Sequence, residues 1–240
     1  MTTSPTHHRH LQLLEDTEAA AIADWIRSRR EQWTPLHPLA PAFILGTAAY
    51  IEDKGQASDW NRYAEKVATT NPMLEEGFGD ATRRILDAMG DAYNATFFTD
   101  PGFGLPGAHI FEPSPHFLNR FASTHFDRQW ELLDLTGYDG VDSSRILSFT
   151  LPLELPTGGG GLLLWPKVAD PTHEAGRGKT PPRPEDMDRV EVEYTVGELV
   201  VHDGWHLHEM APFRSADGDR ARITLQGHAI SCDRGWLVHW

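Results

Sequence analysis

The chain has a single cysteine, Cys232, in 240 residues, so no disulfide can close within it and a reducing compartment is the expectation. Long apolar runs are missing too. Nothing approaches the roughly 20 residues that a membrane helix needs, and the opening MTTSPTHHRH lacks the apolar core of a signal peptide. A cytoplasmic protein with no membrane partner is expected. Basic residues are scarce, 21 Lys and Arg against 35 Asp and Glu, for a formal net charge of −14. That balance argues against nucleic acid, whose phosphates are met by clustered cations. It suits a cationic substrate or plain solubility. No H-E-x-x-H occurs, and the four glycines Gly158–Gly161 are followed by LLLWP rather than by Lys and Ser or Thr. A zincin-type hydrolase and a phosphate-binding P-loop are thereby disfavoured.

At this length one domain with a sizeable core is expected over residues 1–240, since no internal repeat or interdomain linker is visible. The first hundred residues read mainly as helical support. His7, His8 and His10 belong to a polar run of the kind that frays at a terminus. Thr17 can cap a helix whose Ala20, Ala21, Ile22, Trp25 and Ile26 recur at helical spacing up to about Arg30. Pro35, Pro38 and Pro41 force an irregular connection before PAFILGTAAYI, read as a strand. Helices are expected again at 58–67 and 80–95.

The remaining residues, 101–240, read as a β core. In GAHIFEP, His109 and Phe111 share one face of a short strand on a cavity wall. His116 and Arg120 follow without a settled role. In RILSFTLPLEL, Leu147, Phe149, Leu151 and Leu153 alternate with Ile146, Ser148, Thr150 and Pro152, the pattern of a sandwich wall with hydroxyls on one side. The glycines at 158–161 make a tight turn, and 166–188 reads as a long polar excursion. The tail ends on Trp236, His239 and Trp240, an aromatic surface expected to dock.

Chemistry concentrates in GELVVHDGWHLHEMAPFRSADGDRARITLQGH, residues 197–228, which reads as two strands joined by a polar loop. On the second, Arg222, Thr224, Gln226 and His228 share one face by the two-residue period, opposite Ile223 and Leu225. A guanidinium on such a face needs an anionic partner, because it cannot shed its proton. The first strand runs into His202, His206 and His208. Upstream, His125-x-Asp127 on an extended chain points an imidazole and a carboxylate the same way. With one histidine from the later cluster they would make two histidines and a carboxylate, the facial set of non-haem Fe(II) oxygenases.

In order, His125-x-Asp127, the Gly158–Leu164 segment GGGGLLL, Gly197-x-Leu199, His208, Pro212 and Arg222-x-Thr224 resemble the Fe(II)/2-oxoglutarate-dependent dioxygenase superfamily over roughly the second half of the chain. The resemblance implies an α+β protein with a mainly β core, a cupin-like double-stranded β-helix or jelly roll, with N-terminal helical support. It implies iron held by His125, Asp127 and His208, with the distal carboxylate of 2-oxoglutarate on Arg222 and Thr224 as a second donor. It further implies O2 as co-reactant and a hydroxylation; because the chain is short and shows no second domain for docking a macromolecule, the expected substrate is a small metabolite, a free amino acid or similar amine. His109, Phe111 and Trp240 are candidate substrate contacts, and Ser148 or Thr150 can touch the cosubstrate. Halogenation, desaturation or cyclisation on the same scaffold are alternatives, as is a non-catalytic ligand-binding β-sandwich. Halogenating relatives replace the carboxylate ligand by a small residue, and Asp127 is present.

Overall fold

A computed structural model describes residues 7–52, 60–119, 124–169, 187–215 and 220–240. In chain order it contains β1 (His8–Gln12), α1 (Asp16–Arg27), β2 (Thr34–Pro35), β3 (Ala42–Leu45), α2 (Ala49–Glu52), α3 (Trp60–Tyr93), β4 (Phe97–Thr99), β5 (Gly107–Phe111), β6 (Asp142–Glu154), β7 (Leu162–Ala169), β8 (Val190–Val192), β9 (Glu198–Asp203), β10 (His206–Met210), β11 (Arg222–Cys232) and β12 (Gly235–His239). A nine-stranded sheet runs β1-β9-β6-β11-β5-β3-β2, with β12 also on β11 and β4 parallel to β12. A three-stranded sheet runs β10-β7-β8. The two face each other as a double-stranded β-helix, with Val200 of the large sheet packed on Leu162, Leu164 and Val192 of the small one.

Strand periodicity decides which face of the large sheet does what. Leu147, Phe149, Leu151, Leu199, Val201, Ile223 and Leu225 point one way and share a core with Ala19, Ala23 and Ile26 of α1 and Leu74, Phe78, Ala81, Ile85 and Met89 of α3. Their neighbours in sequence, Ser148, Thr150, His202, Arg222, Gln226 and His228, line the cavity between the sheets. Burying the apolar face therefore aims the polar one inward. No helix among the described residues is long and apolar enough to cross a membrane.

Several elements differ from the expectations above. His8–Gln12 is an edge strand antiparallel to β9, from His8 opposite His202 to Gln12 opposite Glu198, rather than a frayed run. It covers backbone that β9 would otherwise leave unpaired, and His10 Nδ1 lies 2.9 Å from Glu198. Helix α1 starts one turn before Ala20. Glu15 and Glu18 form a reciprocal capping box, so Glu15 and not Thr17 is the N-cap. The two expected helices are one helical run broken at Phe78 (φ −151°, ψ 27°), and Val67, Leu74, Phe78, Ile85 and Met89 keep helical spacing across Pro72. The first hundred residues also supply β1 to β4, so they are not helical support alone. The apolar run after Pro41 divides into β3 and α2, and only residues 60–67 of the first expected helix are described. Most of the 166–188 excursion, and Arg120, lie outside the described residues.

The tail docks. β12 pairs with β11 from His228 opposite His239 to Cys232 opposite Gly235, and Trp236 stacks on Phe97 with ring centroids 5.5 Å apart. Trp240 is fully buried with Ile44 and Ala48. Its ring lies so close to Gly107 that a Cβ built there would be 1.8 Å from Cζ3. Gly107→Ala should therefore lower stability by about 1–3 kcal/mol, the usual cost of overpacking, or more if the ring cannot shift. Thermal melting of the variant checks this; an unchanged midpoint would mean that Trp240 is not locked over the strand.

Candidate metal centre

The chain turns sharply between β9 and β10. Asp203 Oδ1 accepts from the backbone N–H of Trp205 at 2.9 Å, and the strand that seemed continuous crosses there from the large sheet to the small one. So 197–228 holds three strands, not two. The crossing places Gly204 beside Asp127, whose backbone N–H donates to the Gly204 carbonyl at 3.0 Å. Next along, His125 and His208 exchange backbone hydrogen bonds of 3.0 and 3.1 Å. An extended segment carrying His-x-Asp is thus laid against the start of β10.

His125, Asp127 and His208 each bring one ligand atom to within 4.8 Å of the others. His208 Nε2 is 3.2 Å from Asp127 Oδ2, and His125 Nε2 is 3.8 Å from Asp127 Oδ1. Asp127 and His208 are buried, whereas the His125 side chain is 45% exposed, so the cluster opens on one side. His208 Nδ1 lies 2.8 Å from the His206 carbonyl. A carbonyl only accepts, so Nδ1 carries a proton and Nε2 is the nitrogen left to ligate an ion. Burial opposes the charge on Asp127, but the surrounding imidazoles, His208 foremost, hold its carboxyl well below the usual range. Burial likewise works against a charged His208, and Asp127 outweighs it and raises the imidazole. Two imidazole nitrogens and a carboxylate suit Fe(II) and other divalent transition ions.

Of the neighbouring histidines, His202 lines the same cavity with its ring 4.7 Å from that of His208, whereas His206 turns away. His202 is buried, with Nδ1 3.1 Å from the Asp203 carbonyl. His206 stands across a register irregularity from Leu207, with its ring 4.9 Å from that of His7.

Around the cluster lies a cavity of about 410 Å³. One wall carries Arg222, which is 3% exposed. Its Nε donates to the Gly160 carbonyl at 2.7 Å and its Nη1 to Thr224 Oγ1 at 3.3 Å. The guanidinium carbon lies 5.7 Å from the centre of the Tyr194 ring, and burial pushes the guanidinium below its ordinary value although Tyr194 acts to raise it. Among the described residues no carboxylate pairs with Arg222. Gly158, Gly159 and Gly160, at φ +84°, +77° and +75°, follow a left-handed path that other residues rarely adopt, and this brings the Gly160 carbonyl onto the guanidinium.

His109 and Phe111 line the cavity, as does Thr150. Ser148 lies on Asp127 and not beside Arg222. Thr224 is fully buried and stands behind the wall as an acceptor for Arg222 and Gln226. Trp240 is likewise behind it, its ring 5.6 Å from His109, so it backs a wall residue and does not face the cavity. Sequence reasoning passed over Tyr50, Tyr194 and Gln129, which also line the cavity. Tyr50 Oη is 2.5 Å from His109 Nε2. Gln129 Nε2 donates to Asp127 Oδ1 at 3.1 Å. Of these three only Gln129 carried a signal, two residues beyond Asp127.

Burial, aided by Arg222 for His109 and by His208 for His202, pushes both imidazoles down to about 3 from 6.5. When unfolded they take up protons near pH 6.5; when folded, not until about pH 3. Their contribution to stability is therefore present above pH 6.5 and lost as pH falls. Burial lowers His228 and His239 in the same sense. His208, raised, acts oppositely: its contribution is present below 6.5 and lost as pH rises through its folded value. Burial lowers His8 and His206 as well, and six groups against one predict that the urea midpoint of metal-free protein falls between about pH 7 and pH 5. A midpoint that rises on acidification would contradict this balance.

No protein-family model matches the chain, and no curated protein does. Among solved structures it is similar to an N-substituted L-amino acid dioxygenase from Burkholderia ambifaria AMMD in complex with alpha-KG, at 14% identity and TM-score 0.56, covering 98% of this chain and 86% of that one. Weaker likenesses are to a Pseudomonas putida prolyl-4-hydroxylase (18% identity, 98% and 94% covered, TM-score 0.43) and to SnoN, a non-heme alpha ketoglutarate dependent epimerase from nogalamycin biosynthesis (13%, 93% and 80%, 0.48). The first likeness bears on architecture, and it agrees with the two facing sheets described above: the chain has the fold of the Fe(II)/2-oxoglutarate-dependent dioxygenases.

Proposed function

We propose that this protein is an Fe(II)- and 2-oxoglutarate-dependent oxygenase acting on a small molecule. The observation that carries the reading is Arg222: a buried guanidinium with no carboxylate partner among the described residues, on the wall of the cavity that holds His125, Asp127 and His208. A cation so placed calls for an anionic ligand. In this reading the three side chains hold iron and Arg222 binds the distal carboxylate of 2-oxoglutarate. When bound, the iron supplies oxidative decarboxylation of 2-oxoglutarate by O2, giving succinate and CO2 with one oxygen atom delivered to a C–H bond.

The chain's own residues bind, orient and exclude water. The His206 carbonyl keeps His208 in the ligating tautomer. The Gly160 carbonyl and the Thr224 hydroxyl fix the guanidinium plane, so its outer N–H groups meet a carboxylate without reorganisation. Leu36, Phe111, Leu162 and Met210 add apolar side chains to the cavity lining. Its volume accommodates 2-oxoglutarate and part of a second small molecule, and a free amino acid or related amine is the substrate class we assign. Hydroxylation is favoured over halogenation because Ser148 and Gln129 both donate to Asp127 and hold its carboxylate in the cluster.

Anaerobic titration with Fe(II) and 2-oxoglutarate tests the reading. A visible charge-transfer band should appear only when both are present and should shift when a fitting metabolite is added. No band, and no 2-oxoglutarate-dependent O2 uptake, would leave the fold without this activity.

A further inference from the structure

Asp127 is held from within the large sheet by a line of hydrogen bonds whose direction can be worked out. The Ser148 hydroxyl contacts Asp127 Oδ2. An ionised carboxylate only accepts, so Ser148 is the donor and spends its single proton there. Ser148 Oγ is also 3.0 Å from His228 Nδ1. With no proton left, Ser148 can only accept from His228, and Nδ1 must carry the hydrogen. Ser148 and His228 are directly opposed in the pairing of β6 with β11, so two adjacent backbones fix the contact. Space around it is tight: a Cβ at Gly204 would stand 3.1 Å from each of Asp127 Cβ, Ile146 Cδ1 and Ser148 Oγ. His228 also lines the cavity. Among the described residues no hydrogen bond reaches its Nε2, the nitrogen left over once Nδ1 faces Ser148.

We propose that Ser148 and His228 are positioning residues for Asp127: His228 donates from Nδ1 to Ser148, Ser148 donates to Asp127, and His228 is left with an unprotonated Nε2 facing the cavity as an acceptor for a hydroxyl or N–H group. The proposal rests on the reading of Asp127 as a metal ligand. It adds that the carboxylate is oriented by a polar relay reaching the cavity wall, so that one imidazole serves both the metal site and whatever enters beside it. A merely space-filling Ser148 and His228 would need neither the hydrogen-bond direction nor the tautomer.

Two measurements on the full chain test it. Co(II) titration, followed by its visible absorption, should show Ser148→Ala and His228→Leu weakening metal binding by about tenfold or more, the usual effect of losing an outer-shell partner. His228→Asn should restore most of the affinity, because its amide N–H can take the place of Nδ1–H. Long-range proton–nitrogen NMR of the metal-free protein should find His228 neutral, with its proton on Nδ1, and that tautomer should be lost in Ser148→Ala. A wild-type His228 protonated on Nε2 or on both nitrogens overturns the proposal, as does unaltered Co(II) affinity in Ser148→Ala and His228→Leu. Wild-type protein that takes up no Co(II) while showing the Nδ1–H tautomer would instead refute the metal reading, and the positioning role with it. Should Ser148→Ala not fold, the wild-type tautomer and the His228 pair still decide.

Discussion

Alanine at His208 should reduce iron affinity by more than the roughly 10–100-fold that loss of an outer-shell partner costs, while alanine at His206 should leave it nearly unchanged. The two residues are separated by one position and would share a face on a regular strand. They do not share it here, because the pairing of β10 with β7 is irregular between His206 and Leu207. His208 stays in register opposite Leu164 and turns Nε2 toward Asp127; His206 turns toward His7 and contributes only its carbonyl to the site. His125→Ala and Asp127→Ala should match His208→Ala in severity, since a facial set reduced to two ligands holds a divalent ion poorly. All three variants should keep the wild-type circular dichroism. None of these side chains belongs to the apolar core, and removing either buried partner leaves a cluster that still opens to water through His125. Iron content after anaerobic loading and desalting is the measurement. Retained iron in His208→Ala with loss in His206→Ala would place the irregularity of β10 elsewhere.

That same irregularity shows where local sequence stops informing. Alternation along β11 was readable, because Ile223 and Leu225 pack on helices while Arg222, Gln226 and His228 line the cavity, so a two-residue period maps directly onto two environments. His125-x-Asp127 was readable for the same reason. Choosing among His202, His206 and His208 was not a matter of period: it depends on the turn at Gly204 and the slip after it, and only the order of motifs in the resemblance selected His208. Tyr50 carried no signal, since its meeting with His109, 59 positions away, requires β3 and β5 to pair and α2 to follow at once. Trp240 had a signal of the wrong kind. Its aromatic bulk correctly implied docking, but burial against Gly46 and Gly107 puts it behind the wall it was expected to form. The helical spacing from Val67 to Phe78 was present but masked by Pro72, which local rules treat as a break.

Arg222→Leu should cost 2-oxoglutarate affinity heavily and cost the fold little. A charge-assisted pair in a desolvated pocket is worth about 1.5–3 kcal/mol, which is roughly tenfold to more than a hundredfold in Kd. Arg220, exposed two residues earlier, should tolerate the same change with no effect on 2-oxoglutarate. Stability should change less than the loss of two hydrogen bonds suggests. The Gly160 carbonyl loses its donor, a penalty of about 1–3 kcal/mol. Against this, the variant no longer buries a guanidinium that has no carboxylate among the described residues, and replacing a buried charge by an apolar side chain is often neutral or stabilising. Without ligand the melting temperature should therefore stay close to wild type. With ligand the two diverge: at about 100 times Kd a ligand adds roughly 2.7 kcal/mol to the folded state. Wild-type protein loaded with a divalent metal should thus melt higher on addition of 2-oxoglutarate, whereas Arg222→Leu at the same concentration should show little or no shift. Metal affinity in the variant should remain near the wild-type value, because Arg222 is not among the three clustered side chains. If the variant kept the full thermal shift, the cosubstrate carboxylate would have to be bound elsewhere on the cavity wall, and Arg222 would need another anion.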